Sequence, residues 1–342
     1  MLLYYILYSF IAFIVTFLAV SGLRRWVGNR LLDIPNERSS HARPMPRGGG
    51  LAIVVVTLAG IWITFPFIHS VLSVWQLLAF TIGALLIAGV SWLDDLRSLP
   101  TYVRFAVHLI CAILVCLAFG EWNELNLPGV GNFILGLWGW PLTLVWIVGL
   151  TNAYNFMDGI DGIAGGQAAV AGLGWAIIGI ISQQPFLCTA GILLAFSSLG
   201  FLGHNWPPAK IFMGDVGSAF LGYTFAVLPV IAARGDARFV LIGILFVWPF
   251  VFDAAFTFVR RLVKRENVFA AHRSHLYQRL VISGLSHQTV TLLYVALALI
   301  GVVLALAFVL DCRYIGIITL TVLLLCMLGL WRLTVRRERL AP

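Results

Sequence analysis

IAGGQAAVAGLGWAIIGIIS (residues 163–182) and FLCTAGILLAFSSLGFLG (residues 186–203) follow each other with no charged residue in either. Each is close to the ~20 residues that a helix needs to cross a bilayer core. Working outward, the pattern recurs along the chain. It predicts about eleven helical spans, near 1–21, 49–69, 72–93, 101–119, 134–152, 163–182, 186–203, 216–233, 238–258, 288–309 and 314–331. The composition agrees: 61% of the 342 residues are apolar and only 11% charged, more apolar surface than a soluble domain can hide. The expected fold class is therefore all-α: a polytopic integral membrane protein in a single domain spanning 1–342. Residues 120–140, with Pro128, Gly129, Gly131, Gly136, Gly139 and Pro141, are the place where a helix breaks or turns back.

The loops give an orientation. With 22–48, 94–104, 152–162, 204–215, 259–287 and the tail after 331 on one side, that side holds every Lys and Arg except Arg234, Arg238 and Arg313. Such a bias puts the basic side in the cytoplasm, with the N-terminus outside and the C-terminus inside. The net charge of +8 is then a signature of orientation, and no nucleic acid is expected. The apolar N-terminus lacks a basic leader region and reads as a retained first span. Cys111, Cys116, Cys188, Cys312 and Cys326 show no paired spacing and read as buried, inert thiols.

Three acidic segments fall on the basic side, and carboxylates at a lipid boundary are costly unless something uses them. Asp94 and Asp95 end a span; two adjacent carboxylates repel, so a metal, a base or a proton must help. The bland alternative is a solvated helix end paired with Arg97. In NAYNFMDGIDG (residues 152–162), Asn152 and Asn155 share a helix face, and Asp158 and Asp161 each precede a glycine. Amide and carboxylate oxygens suit Mg²⁺, with Mn²⁺ as a substitute; the alternative is a polar loop joining two helices. In PPAKIFMGDVGSAF (residues 207–220), Lys210 precedes Asp215, a Gly-flanked acid at a helix start. Mg²⁺ usually takes one or two protein oxygens plus ligand phosphates, so Asp215 with Asn155 suffices. The loop 259–287 carries His272, Arg273, His275 and Arg279, donors suited to a pyrophosphate; lipid headgroups are the alternative partner. In the first loop (residues 33–50), the basic residues with Ser39, Ser40 and His41 are candidates for a phosphate clamp, although flexible-loop chemistry explains them equally. Asp253, inside a span, is either functional or a helix-pairing acid.

In this order the strings PNERSSHARPMPRGGG, LDD, NAYNFMDGIDG, PPAKIFMGDVGS and AHRSHLYQRL resemble the polyprenyl-phosphate N-acetylhexosamine-1-phosphate transferases of the glycosyltransferase 4 type, and most closely their O-antigen-initiating branch. The resemblance covers residues 33–287. It implies transfer of a sugar-1-phosphate from a UDP-N-acetylhexosamine to undecaprenyl phosphate in the bacterial inner membrane, at the cytoplasmic face. UMP is released. It also implies roles. Asp215 and Asn155 match Mg²⁺-binding positions, and Asp94 and Asp95 match a pair that deprotonates or positions the lipid phosphate. Asp161 matches a position near the uracil, and His272, His275 and Arg279 match a loop on the pyrophosphate and sugar. The sequence departs from the family in that loop, where a close His triplet is replaced by His272 and His275. Phospho-MurNAc-pentapeptide transfer, membrane transport and a scaffold role are the competing expectations. Membrane lipid and a second copy in a homodimer complete the partners considered.

Overall fold

The structure is a computed structural model that describes residues 2–28, 31–33, 44–68, 70, 72–267 and 272–340. Among these residues the chain forms twelve α-helices: α1 (Leu2–Val27), α2 (Gly50–Thr64), α3 (Val74–Arg97), α4 (Thr101–Phe119), α5 (Gly139–Phe156), α6 (Ile163–Ile181), α7 (Pro185–Asn205), α8 (Asp215–Ala233), α9 (Arg238–Val263), α10 (Leu276–Ile282), α11 (His287–Val309) and α12 (Ile315–Leu340). Two short antiparallel hairpins complete it, β1 (Leu32–Asp33) with β2 (Met45–Pro46) and β3 (Glu124–Leu127) with β4 (Gly131–Ile134).

Ten helices are long and apolar enough to cross a membrane. The all-α polytopic expectation therefore holds, with one change. The span expected over 134–152 is α5, which starts only at Gly139, and α5 is not among the ten. Its last turns carry Asn152 and Asn155 in place of apolar side chains. The broken stretch before it is the β3–β4 hairpin, in which Glu124 pairs with Ile134 and Leu127 with Gly131 across the Pro128-Gly129 turn. Gly129 has a φ of 80° and Gly131 of 109°, values that glycine adopts without steric penalty.

Helix ends follow local chemistry. Ser73 and Gln76 form a reciprocal capping box at the start of α3, which satisfies two orphan N–H groups. Ser98 then turns into the left-handed region with its N–H on the Asp94 carbonyl, and Pro100 precedes α4. Interiors are closed by small residues, which let backbones approach closely where lipid offers no hydrophobic drive for packing. A Cβ on Gly172 would lie 2.6 Å from Ala195 N, and one on Gly179 would lie 2.4 Å from Cys188 N, so α6 and α7 meet backbone to backbone. Helix α8 is the axis of the bundle, with every side chain from Val216 to Ala232 buried. Helices α1 and α12 are peripheral and present leucine-rich faces outward. All five cysteines are free; Cys111, Cys116 and Cys188 are buried, whereas Cys312 is exposed and Cys326 partly so.

Candidate active site

The C-termini of α3 and α5, the N-termini of α2 and α8, and the short helix α10 gather at one end of the bundle. All three acidic segments are there, and their carboxylates are close enough to act on one another. Burial and the neighbouring charges of Asp215, Asp95 and Asp161 hold the Asp158 carboxyl well above the usual carboxylate range.

Each acid has a distinct environment. Asp94 accepts from the Leu99 N–H at 2.6 Å and from Arg104 at 2.5 Å. The bland partner expected for this pair, Arg97, is not the one used; the cation comes from the first turn of α4. Arg104 also lies 3.6 Å from Asp215, so one guanidinium serves two carboxylates. Asp95 is nearly inaccessible, with its side chain 2% exposed. It lies 3.5 Å from Arg47 and accepts weakly from Val216 N–H at 3.4 Å, while Arg47 also donates to its main-chain carbonyl. Asp215 is the open member, with 34% of its side chain exposed, and the Asn155 amide is near enough to favour its ionised form.

Glycines set this geometry. Gly214 has a φ of 76°, and a Cβ there would fall 2.8 Å from an Asp95 carboxylate oxygen. The loop holding Asp215 is stitched to the first loop by backbone bonds: Phe212 N–H donates to Pro46 O, Gly49 N–H to Phe212 O and Gly50 N–H to Met213 O. Arg47 is delivered to Asp95 by this seam. Ser39, Ser40 and His41 lie outside the described residues.

Asp161 is turned to the far side of its loop. Its carboxylate accepts from Ala209 N–H at 3.1 Å and lies 3.4 Å from His287 Nδ1, and its carbonyl accepts from the Thr291 hydroxyl. This ties the loop after α5 to the start of α11 and to the segment before exposed Lys210.

Between α5 and α9 runs an apolar cavity of about 550 Å³, lined by Val145, Trp146, Leu150, Val251, Phe258 and Val259 among others. Its polar end is formed by Asn152, Arg261, His272 and His275. Asn152 is one turn before Asn155 on α5, roughly 4.5 Å along the axis at the usual helical rise. The cavity's polar end and the Asp215 cluster are therefore neighbours.

A family model described as glycosyl transferase family 4 matches residues 77–233. A probable undecaprenyl-phosphate N-acetylglucosaminyl 1-phosphate transferase of Bacillus subtilis (strain 168) is 32% identical over 288 residues, 83% of this chain and 79% of the relative. The chain belongs to the polyprenyl-phosphate hexosamine-1-phosphate transferases. A decaprenyl-phosphate N-acetylglucosaminephosphotransferase of Mycobacterium leprae (strain TN) is 31% identical, with 82% and 78% covered. A phospho-N-acetylmuramoyl-pentapeptide-transferase of Synechococcus sp. (strain JA-2-3B'a(2-13)) is 33% identical over 67% of this chain and 68% of that one.

In this transferase the basic loop is held by the buried acid of α9. Asp253, fully buried, accepts from the N–H groups of Leu276 (2.8 Å) and Tyr277 (3.0 Å), from Tyr294 Oη (2.5 Å), Thr257 Oγ1 (3.1 Å) and His275 Nδ1 (3.3 Å). It is neither an isolated intramembrane acid nor a partner of Arg or Asn; it anchors the start of α10. His272 lies tilted against His275, ring centroids 5.0 Å apart, and its Nδ1 meets the Ser274 hydroxyl at 2.9 Å. Arg273 flanks them, partly exposed. Arg279, expected on the pyrophosphate, is instead engaged by Glu338 of α12 through two 2.7 Å bonds.

Three contributors to the transferase site escape a reading of the motifs, whereas Arg47 belongs to the basic first loop considered for a phosphate clamp. Arg104 carries no signal beyond the positive bias of its loop. Tyr277 donates to Phe156 O at 2.9 Å and lies across Gly159, where a Cβ would meet its hydroxyl at 2.1 Å; nothing in AHRSHLYQRL marks it. His108, buried in α4, meets the Asn152 amide at 3.0 Å. That amide also donates to Val148 O; with both N–H bonds used, Asn152 keeps its carbonyl oxygen for a ligand. An imidazole inside an apolar span is the signal that could have found it.

Proposed function

We propose that this transferase moves an N-acetylhexosamine-1-phosphate from a UDP-sugar onto undecaprenyl phosphate at the cytoplasmic face of the bacterial inner membrane. The products are UMP and a sugar-diphospho-undecaprenol, the first lipid-linked intermediate of O-antigen or a related envelope polysaccharide. The observation that carries this reading is an apolar groove whose polar end, at Asn152, lies one helical turn from Asn155, the neighbour of the Asp215 carboxylate. The groove between α5 and α9 suits a prenyl tail, which stays in the bilayer instead of being extracted at ~0.8 kcal/mol per CH₂. Asn152, Arg261, His272 and His275 then receive its phosphate.

The cluster suits a divalent cation. Asp94, Asp95, Asp158 and Asp215 share Arg47 and Arg104 among the described residues, which leaves them short of positive charge. Among those residues no group of three or more His, Cys, Asp or Glu could hold a metal ion by itself, so ligand phosphates would have to complete the shell. Asp215 and Asn155 would hold Mg²⁺ or Mn²⁺, which supplies charge neutralisation on a diphosphate.

In the reaction, an oxygen of the lipid phosphate forms a bond to the sugar-bearing phosphorus of the donor. The bridging P–O bond breaks, and its electron pair leaves with UMP. Asp94 and Asp95 fix Arg104 and Arg47 beside that centre, where the guanidinium groups offset the charge of two approaching anions. His275, with Nδ1 bound to Asp253, turns its other nitrogen away from that carboxylate, and His272 stands beside it. A phosphate dianion needs little further deprotonation near neutral pH, since its second pKa is about 6. Positioning is therefore the main task of the acids that flank the guanidinium groups.

The test is a membrane assay with radiolabelled undecaprenyl phosphate, Mg²⁺ and a panel of UDP-N-acetylhexosamines, with and without EDTA. Lipid-linked product from one donor, lost with EDTA, supports the reading and names the sugar. Product only from UDP-MurNAc-pentapeptide shifts the assignment to peptidoglycan synthesis, and no product from any donor overturns it. Rapid exchange of labelled UMP into the donor without lipid acceptor would replace direct attack with a covalent intermediate.

A further inference from the structure

Helix α12 is attached to the bundle at two levels. Near its start Ile315 and Thr319 are buried, and a Cβ on Gly316 would fall 2.1 Å from the Pro128 carbonyl oxygen of the hairpin turn. Near its end Leu330 and Thr334 are buried. Between these levels Leu320, Leu324 and Leu325 are more than half exposed. The last turns, RLTVRRERL, carry Arg332, Arg336, Arg337 and Arg339 and one carboxylate, Glu338. That one carboxylate is directed inward. It takes Nε and Nη2 of Arg279 in a forked pair, both at 2.7 Å, with the Arg279 side chain only 9% exposed.

Arg279 belongs to the turn of α10 that His275 opens: its N–H donates to the His275 carbonyl at 3.0 Å. The same turn is fixed from the other side by Asp253 through Leu276 and Tyr277. Two carboxylates on different helices therefore grip one short helix. One is fully buried in α9; the other is 40% exposed on the chain's last helix. A helix of seven residues has too few internal bonds to hold its own position, so its placement depends on these grips.

Resting on the transferase reading above, we infer that Glu338 is a positioning residue: through Arg279, the C-terminal helix sets where His275 and His272 stand at the polar end of the groove. Arg279 then acts through its carboxylate partner and not on the donor. A planar forked pair is specific to guanidinium and carboxylate geometry, so Lys at 279 or Gln at 338 does not reproduce it.

A charge-reversal cycle tests this in the full-length protein, in membranes, with kcat and KM measured for both substrates and with melting followed on the purified protein. Glu338→Gln and Arg279→Lys are expected to lower kcat about five- to tenfold, with the donor KM changed less than about twofold. Glu338→Arg and Arg279→Glu are each expected to lose more. The double variant Arg279→Glu/Glu338→Arg is expected to recover much of the kcat and of the melting temperature, because contacting pairs are non-additive. If the double variant is as poor as Arg279→Glu while Glu338→Arg behaves like wild type, Arg279 touches substrate directly and the inference is overturned. It is equally overturned if all four variants match wild type. Failure of the wild-type protein to make lipid-linked product overturns the transferase reading instead, and that result is separate because it appears before any substitution is made.

Discussion

The two ends of the bundle both carry ion pairs, and they differ in what those pairs leave undone. At the hairpin end, Arg238 binds Asp236 at 2.8 Å and Asp311 at 3.1 Å, and Asp311 is 80% exposed. Water completes such a cluster, and pairs of this kind contribute little to stability. At the opposite end, Arg104 also bridges two acids, but Asp94 is 10% exposed and Asp95 is nearly sealed, and burial with the crowding of acids holds the Asp158 carboxyl well above the usual range. Water reaches this cluster mainly through Asp215. The same chemical motif is thus a surface ornament at one end and an unmet demand for cations at the other, and burial makes the difference.

The sharpest way to break this comparison is to neutralise one acid at each end. Asp215→Asn is expected to lower the rate of lipid-linked product formation by at least about 10²-fold, the scale of losing one electrostatic contact in a closed site. Asp311→Asn is the weakest case, with activity unchanged and a stability change below about 0.5 kcal/mol; the same assay and a melting curve read both. A loss at Asp311 comparable to that at Asp215 would remove the distinction. Between these extremes lie two substitutions that probe how the site end is locked. Gly159→Ala forces a methyl against the Tyr277 hydroxyl and is expected to reduce activity about tenfold or more, the effect of ~1–3 kcal/mol of overpacking. Adding Tyr277→Phe removes the clashing oxygen and should restore part of the rate; no recovery would mean that the loop itself rejects a side chain at 159. Asp253→Asn places an amide N–H among five donors and is expected to lower stability by about 1–3 kcal/mol, seen as a lower melting temperature.

Much of this was legible before any coordinates. The spans could be read because lipid demands long apolar helices, and the acidic motifs because Asp and Asn interrupt that sequence at helix ends. What could not be read is who partners whom. Asp94 pairs with Arg104 rather than Arg97 because the turn at Ser98–Pro100 folds the next helix back onto it. Arg279 finds Glu338 some sixty positions later in the chain, a separation that no local pattern encodes. The Glu124–Ile134 hairpin falls where the sequence predicts a helix break or a turn back, and Pro128-Gly129 between two short runs is its turn signal. The last expected span ends at 331, yet α12 continues through the basic tail to Leu340.

Gly50 and Gly217 carry a mechanical consequence. A Cβ on either would fall within 2.6 Å of the other's Cα, so α2 and α8 touch through bare backbone next to Asp215. The Met213 side chain fills the remaining space beside both glycines, so a seam this tight has no clearance to slide; it is the fixed jaw of the site. Opposite it, α9 has Pro249 within it and ends in Phe258, Val259, Leu262 and Val263, all more than half exposed. A prenyl tail entering the groove proposed between α5 and α9 would meet this exposed end of α9, the opposite of the fixed seam in having apolar side chains uncovered.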